Sequence, residues 1–205
     1  MKIIFLDIDG VLNWAGTEDR LDGFVGLCQE RISRLNKITD AVPDAKIVIS
    51  STWRHAFTNA YKNFAELVSL LHDRGIRGEI IDRTPSRFSS RTRGSEIREW
   101  LEDEAKEGRT HTYVILDDSI DGMEGYAAAP YGEAPKEFVD LRPKHVVTDW
   151  TGNPNVEGEE GGLQDHHVSM AISVLGGQSV CQDCHRQTAS LPHYGNCLTC
   201  NGGFP

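Results

Sequence analysis

Acidic and hydroxyl side chains stand directly after three short apolar runs. Asp7-Ile8-Asp9-Gly10 follows Lys2–Leu6, Ser50-Ser51-Thr52 follows Lys46–Ile49, and Asp117-Asp118-Ser119 follows Tyr113–Leu116. One Asp after a strand is an ordinary cap or turn residue. The combination is different. Four carboxylates gathered at one place repel one another, and oxygen-only ligands of this kind suit a hard divalent cation such as Mg²⁺. A cation held there attracts a phosphate dianion and stabilises charge during its transfer. A carboxylate beside phosphorus can also act as nucleophile.

Convergence of these groups demands particular elements. Apolar runs at Lys2–Leu6, Lys46–Ile49, Glu79–Ile81, Tyr113–Leu116 and His145–Val147 read as buried parallel strands. Helical spacing appears over residues 24–42 (Val25, Leu27, Ile32, Leu35, Ile38), from Phe64 to near Gly75, over Glu96–Ala105 and over Leu163–Leu175. His166 and His167, adjacent on the last of these, are expected to point apart. Alternating strands and helices predict an α/β fold, a Rossmann-like parallel sheet with helices on both faces. In such a sheet ligands bind at the carboxyl ends of the strands. That is where Asp7, Asp9, Ser50, Ser51, Asp117 and Asp118 lie.

The motifs, in this order, resemble the haloacid dehalogenase-like (HAD) hydrolase superfamily. Phe5-Leu6-Asp7-Ile8-Asp9-Gly10-Val11-Leu12 matches its first motif, Ile49-Ser50 its second and Ile115-Leu116-Asp117-Asp118 its fourth. Within it, the chain resembles a compact branch, the HAD domain of Swiss-army-knife RNA repair proteins. That resemblance rests on Ser50-Ser51-Thr52-Trp53-Arg54, on Arg93-Gly94-x-Glu96-Ile97-x-x-Trp100-Leu101, and on Val146-x-Thr148-Asp149 ahead of Gly162-Leu163. It implies Asp7 as the nucleophile that becomes an aspartyl-phosphate, and Asp9 as the acid for the leaving oxygen and then the base for water. It implies that Ser50 holds a phosphoryl oxygen, with Ser51 as the alternative. The basic third-motif residue is Arg93, with Arg91 as the alternative; the commoner residue there is lysine. Asp118, Asp7 and the backbone carbonyl of Asp9 would ligate Mg²⁺, with Asp117 behind them or exchanging roles with Asp118.

Members of the superfamily often carry a cap domain that selects small substrates. About 40 residues separate Asp9 from Ser50, and a similar gap separates Ser51 from Arg93; neither holds a domain of about 50 residues or more. The site should be open, which favours a substrate large enough to cover it, such as a phosphorylated nucleic-acid end. Arg54, Arg83, Arg87, Arg91 and Arg93 lie along the second and third motifs, with Trp53 and Phe88 among them. Arginine forks match phosphate geometry and aromatic faces stack on bases, so Arg54 and Arg91 are candidate substrate contacts. Trp53 could equally wedge the loop onto the sheet, and His55 could touch substrate. No Gly-x-x-x-x-Gly-Lys-Ser/Thr run is present, so no P-loop kinase accompanies the site.

The remaining chemistry is in the tail. Residues 1–175 form the expected phosphatase domain and 178–205 a zinc-binding tail. Cys181-x-x-Cys184 and Cys197-x-x-Cys200 have the spacing of two knuckles holding one Zn²⁺. A structural metal would supply the folding energy that a tail nearly devoid of aliphatic residues lacks. Cys28 is expected in the core. With 21 basic and 31 acidic side chains the formal charge is −10, which opposes non-specific coating of a duplex or an anionic membrane. No apolar stretch approaches a membrane span, and a cytoplasmic location is the expectation. The reading is an Mg²⁺-dependent phosphatase of nucleic-acid 3′-phosphates or of nucleotides. The alternatives are a phosphatase of small nucleotides or sugar phosphates, and a zinc-ribbon adaptor on a degenerate scaffold.

Overall fold

The computed structural model describes residues 1–55, 60–85, 92–125, 137–151 and 160–179. In chain order the elements are β1 (Lys2–Leu6), a hairpin of β2 (Arg20–Leu21) and β3 (Phe24–Val25), α1 (Gln29–Ala41), β4 (Ala45–Ile49), a 3-10 turn (Thr52–His55) and α2 (Phe64–Asp73). There follow β5 (Ile80–Arg83), α3 (Arg93–Lys106), β6 (Thr112–Asp117), a second 3-10 turn (Arg142–Lys144), β7 (His145–Val147) and α4 (Asp165–Leu175). Five strands form one parallel sheet in the order β5-β4-β1-β6-β7. The expected α/β architecture is the observed one.

Strands buried on both faces explain the unbroken apolar runs. Ile4, Leu6, Ile47, Ile49, Val114 and Leu116 turn to one face and pack with residues of α1, α2 and α4. Ile3, Phe5, Val48 and Ile115 turn to the other, against Ile97 and Trp100 of α3. Phe5 meets Trp100 edge-on, with centroids 5.3 Å apart.

The chain leaves the central strand in two directions, to β4 and β5 on one side and to β6 and β7 on the other. This switch point is where an open sheet parts at its carboxyl end to make a crevice. Leu6 is paired with Ile49 on one side and Leu116 on the other. Asp7, Ser50 and Asp117 are therefore the next residue on three neighbouring strands. By the period of two they share the α3 face with Phe5, Val48 and Ile115.

Three local expectations are corrected. The helix expected over residues 24–42 begins only at Gln29, because residues 20–25 form the hairpin. Its turn is Asp22-Gly23, both at positive φ (50° and 85°), the conformation a tight hairpin connection requires. Cys28 accordingly stands at the N-cap of α1, half-buried, rather than in the core. His166 and His167 do not point apart; their rings lie 3.9 Å apart at 48°. His167 Nδ1 accepts the Gln164 backbone N–H in the capping box of α4.

Residues 180–205 lie outside the described residues, and with them Cys181, Cys184, Cys197 and Cys200. No helix among the described residues is long and apolar enough to cross a membrane.

Candidate active site

The end of β1 carries a buried carboxylate. Asp7 is 4% exposed and faces Arg93, and the Ser51 hydroxyl and the Ile8 backbone N–H favour its charged form. Arg93 comes from the first turn of α3, which Thr92 caps by accepting the Ser95 N–H. Its Nη1 lies 3.5 Å from Asp7 Oδ1 and its Nε lies 3.5 Å from Asp117 Oδ2. One guanidinium thus stands between carboxylates from two adjacent strands. Close approach of α3 depends on Gly94, where a Cβ would fall 1.8 Å from the Gly122 carbonyl oxygen.

Asp118 closes the cluster. Carboxylate oxygens of Asp7, Asp117 and Asp118 lie within 4.8 Å of one another. Gly10 makes room for Asp118: at φ +73°, any Cβ there would lie 2.2 Å from Asp118 Oδ2. Burial, then the charge of Asp7, pushes the Asp117 carboxyl up to about 8 and that of Asp118 up to about 6. Burial raises Asp7 as well, against the downward pull of Arg93. Arg93 keeps its proton more firmly than usual: burial opposes its charge, but Asp7 and Asp117 outweigh that.

A single arginine does not balance three carboxylates. Asp117 Oδ2 is buried without a hydrogen-bond partner, and so is Arg93 Nη1. A compact set of oxygen donors with an orphaned buried oxygen fits a hard divalent cation.

Asp9 is set apart from this cluster. Its Oδ1 accepts Asn13 Nδ2 at 2.8 Å and its Oδ2 accepts Trp53 Nε1 at 3.0 Å. Asn13 also accepts the Gly10 N–H at 3.1 Å, closing the turn that carries both residues out of β1.

The loop after β4 presents Ser50 and Ser51, both fully buried. Ser50 Oγ has no hydrogen-bond partner, whereas Ser51 Oγ accepts the Trp53 backbone N–H at 3.3 Å. Arg54, expected at the substrate, lies beneath this loop instead. Its Nη1 donates to the Ser50 and Ser51 carbonyls, the latter at 2.6 Å, and its Nη2 pairs with Glu96 at 2.7 Å. With its side chain 2% exposed, it holds the loop onto α3. Arg83 likewise serves the loop, donating to the Arg54 carbonyl and covering the Phe64 ring. His55 is half-buried, and burial with the charges of Arg54 and Arg83 weakens its hold on a proton. Arg87, Phe88 and Arg91 lie outside the described residues.

The sequence alone gives Asn13 no role, gives Glu96 only a place in the α3 motif, and offers Trp53 as a stacking or wedging ring. A turn-forming Asn four residues after an Asp is a signal that could have flagged Asn13. Nothing local announces Trp53 Nε1 as a donor to a side chain 44 positions away.

Residues 3–150 match the family described as the HAD domain in Swiss Army Knife RNA repair proteins. The chain belongs to this family. The matched span of the HAD domain runs from β1 to just past β7 and contains every site residue described above. Among the described residues, the segments from β1 to β4 and from β4 to α3 hold only the hairpin, α1, the 3-10 turn, α2 and β5, with no inserted cap domain. The chain is thus a HAD-type hydrolase domain with an α/β fold and an acidic cluster able to hold a metal. No curated protein and no solved structure matches the chain.

Proposed function

We propose that this HAD domain hydrolyses phosphomonoesters through an aspartyl-phosphate on Asp7, with phosphorylated nucleic-acid ends, 3′-phosphates foremost, or nucleotides as substrates. The observation that carries the reading is the division of labour among carboxylates. Asp7 is buried against Arg93, while Asp9 is held separately by two neutral donors. In the first half-reaction an Asp7 oxygen attacks phosphorus, the ester P–O bond breaks, and Asp9 gives its proton to the departing oxygen. In the second, Asp9 takes a proton from water as that water attacks phosphorus, and the bond to Asp7 breaks to release phosphate. Arg93 offsets charge on the transferring group, and Ser50 and Ser51 are the candidate donors to its oxygens. Mg²⁺, held by Asp7 and Asp118 with Asp117, would neutralise the cluster and polarise a phosphoryl oxygen.

The family's setting in RNA repair proteins and the lack of a cap among the described residues both favour a polymer end. Release of phosphate from para-nitrophenyl phosphate, with and without Mg²⁺, tests the activity. Wild type should be active with the metal and Asp7→Asn inactive; equal inactivity of both under saturating Mg²⁺ removes the enzyme reading. Oligonucleotides phosphorylated at the 3′ or the 5′ end, compared with mononucleotides, then test the substrate class. Equal turnover on all of them removes the preference for a polymer end. For the tail, the four cysteines are proposed as ligands of a structural Zn²⁺. Zinc analysis should show one ion per chain in wild type and a loss in Cys197→Ser, and unchanged content rejects that assignment.

A further inference from the structure

Asp9 is gripped at both oxygens by groups of one kind. Trp53 Nε1 donates to Oδ2 at 3.0 Å and Asn13 Nδ2 to Oδ1 at 2.8 Å. Both donors are themselves fixed. Asn13 is fully buried and its amide also donates to the Gly26 carbonyl at 3.0 Å. Trp53 packs on the core, its ring stacks on Tyr61 with centroids 6.4 Å apart at 21°, and the Tyr61 hydroxyl donates to the Trp53 carbonyl at 2.8 Å.

The chemistry of the two donors is specific. An indole N–H and a primary amide N–H donate and cannot accept. A proton carried by Asp9 therefore has no route to either neighbour. It must occupy a lone pair that they leave free, and its only destinations are substrate and water. Their bonds also fix the plane of the carboxylate. A general acid must sit within hydrogen-bond reach of the oxygen it protonates, and a misplacement of about 1 Å costs on the order of a hundredfold in rate. Arg, Lys or protonated His in place of Trp53 would add a charge beside Asp7 and Asp118, whose carboxyls already respond to the charge of Asp9. A neutral donor holds Asp9 without doing so.

We propose that Trp53 is a positioning residue for the general acid–base Asp9, acting through its indole N–H rather than as a stacking platform for substrate. The assignment rests on the phosphatase reading. It predicts a loss that depends on how much the leaving oxygen needs a proton. Phenyl phosphate and para-nitrophenyl phosphate share one aryl phosphate core and differ only in the para nitro group, which makes phenolate the more basic leaving group. kcat/KM covers only the steps through its departure.

In Trp53→Phe the ratio of kcat/KM for phenyl phosphate to that for para-nitrophenyl phosphate should fall about fivefold or more. On phenyl phosphate the variant should lose about tenfold in the wild-type background and less than about twofold in Asp9→Asn, because the two side chains act as one unit. Equal losses on the two esters, or an undiminished loss in Asp9→Asn, would make Trp53 a packing wedge only and overturn the proposal. Where Trp53→Phe fails to fold, benzothienylalanine at position 53 decides. It keeps the bicyclic ring over Tyr61 and removes only the donor, so the ratio should fall in the same way; a wild-type ratio overturns the proposal. A wild type that releases phosphate from neither ester overturns the phosphatase reading and this assignment together. An active wild type with an unchanged ratio in the variant overturns the assignment alone.

Discussion

Ser50 and Ser51 are neighbours in sequence with opposite energetics. Ser51 Oγ is satisfied by the Trp53 backbone N–H, whereas Ser50 Oγ is buried without a partner. An orphaned buried hydroxyl costs the free chain about 1–3 kcal/mol. Such a cost is tolerated where the group serves a ligand, and a phosphoryl oxygen is the ligand this site is proposed to take. Ser50→Ala should therefore leave stability unchanged or raise it by about 1 kcal/mol, while lowering kcat/KM for para-nitrophenyl phosphate about tenfold. Urea denaturation and steady-state kinetics on the same preparation check both halves. A destabilised variant with wild-type turnover would assign the Ser50 hydroxyl to packing alone. Asp7, Ser50 and Asp117 were legible because each directly follows an apolar run and so must cap a strand. Trp53 and Glu96 were not, since their partners Asp9 and Arg54 lie 44 and 42 positions away and no spacing rule links such pairs.

Among the elements, the 3-10 turn after β4 and the start of α3 are joined by Arg54 and Glu96. The pair is nearly sealed from water, with side chains 2% and 12% exposed. Burial lowers the hold of Arg54 on its proton, and Glu96 only partly restores it. Removing one partner of such a pair leaves an uncompensated buried charge, worth about 3–5 kcal/mol, whereas an apolar replacement of both can be nearly neutral. Arg54→Met should cost about 3 kcal/mol in denaturant unfolding. It should also reduce turnover, because the carbonyls that Arg54 holds belong to Ser50 and Ser51. Adding Glu96→Leu should recover much of the stability but not the activity. A double variant no more stable than the single one would shift the importance to the bonds with those carbonyls.

Element boundaries were less legible than element types. The five sheet strands were read to within a few residues: β1, β4 and β6 are buried and leave an apolar signature, whereas the mostly exposed edge strand β5 shows only Ile80-Ile81. The hairpin was missed because Val25 and Leu27 happen to continue the helical spacing of α1. Asp22-Gly23, a tight-turn pair just ahead of that run, is the local signal that marks the hairpin.

At the scale of the whole molecule, the sheet order brings acid from β1 and β6 and a cation from α3 to one switch point, so site and fold share their electrostatics. The unfolded carboxylates have the ordinary value of 3.8, while folding raises Asp117 to about 8 and Asp118 to about 6. Between those limits the folded chain binds more protons than the unfolded one. Stability linked to these groups is therefore fully present below 3.8 and is lost as pH rises through the folded values. A divalent cation competes with the same protons, since metal ligands bind deprotonated. Below pH 6 it must displace them; above pH 8 the ligands are already ionised and mutually repelling. Saturating Mg²⁺ should thus raise the melting temperature more above pH 8 than below pH 6, with the larger part of the shift gone in Asp118→Asn. Differential scanning fluorimetry across that range makes the measurement. A shift that ignores pH, or one that survives intact in Asp118→Asn, would place the stabilising cation elsewhere on a chain whose net charge of −10 offers many weak alternatives.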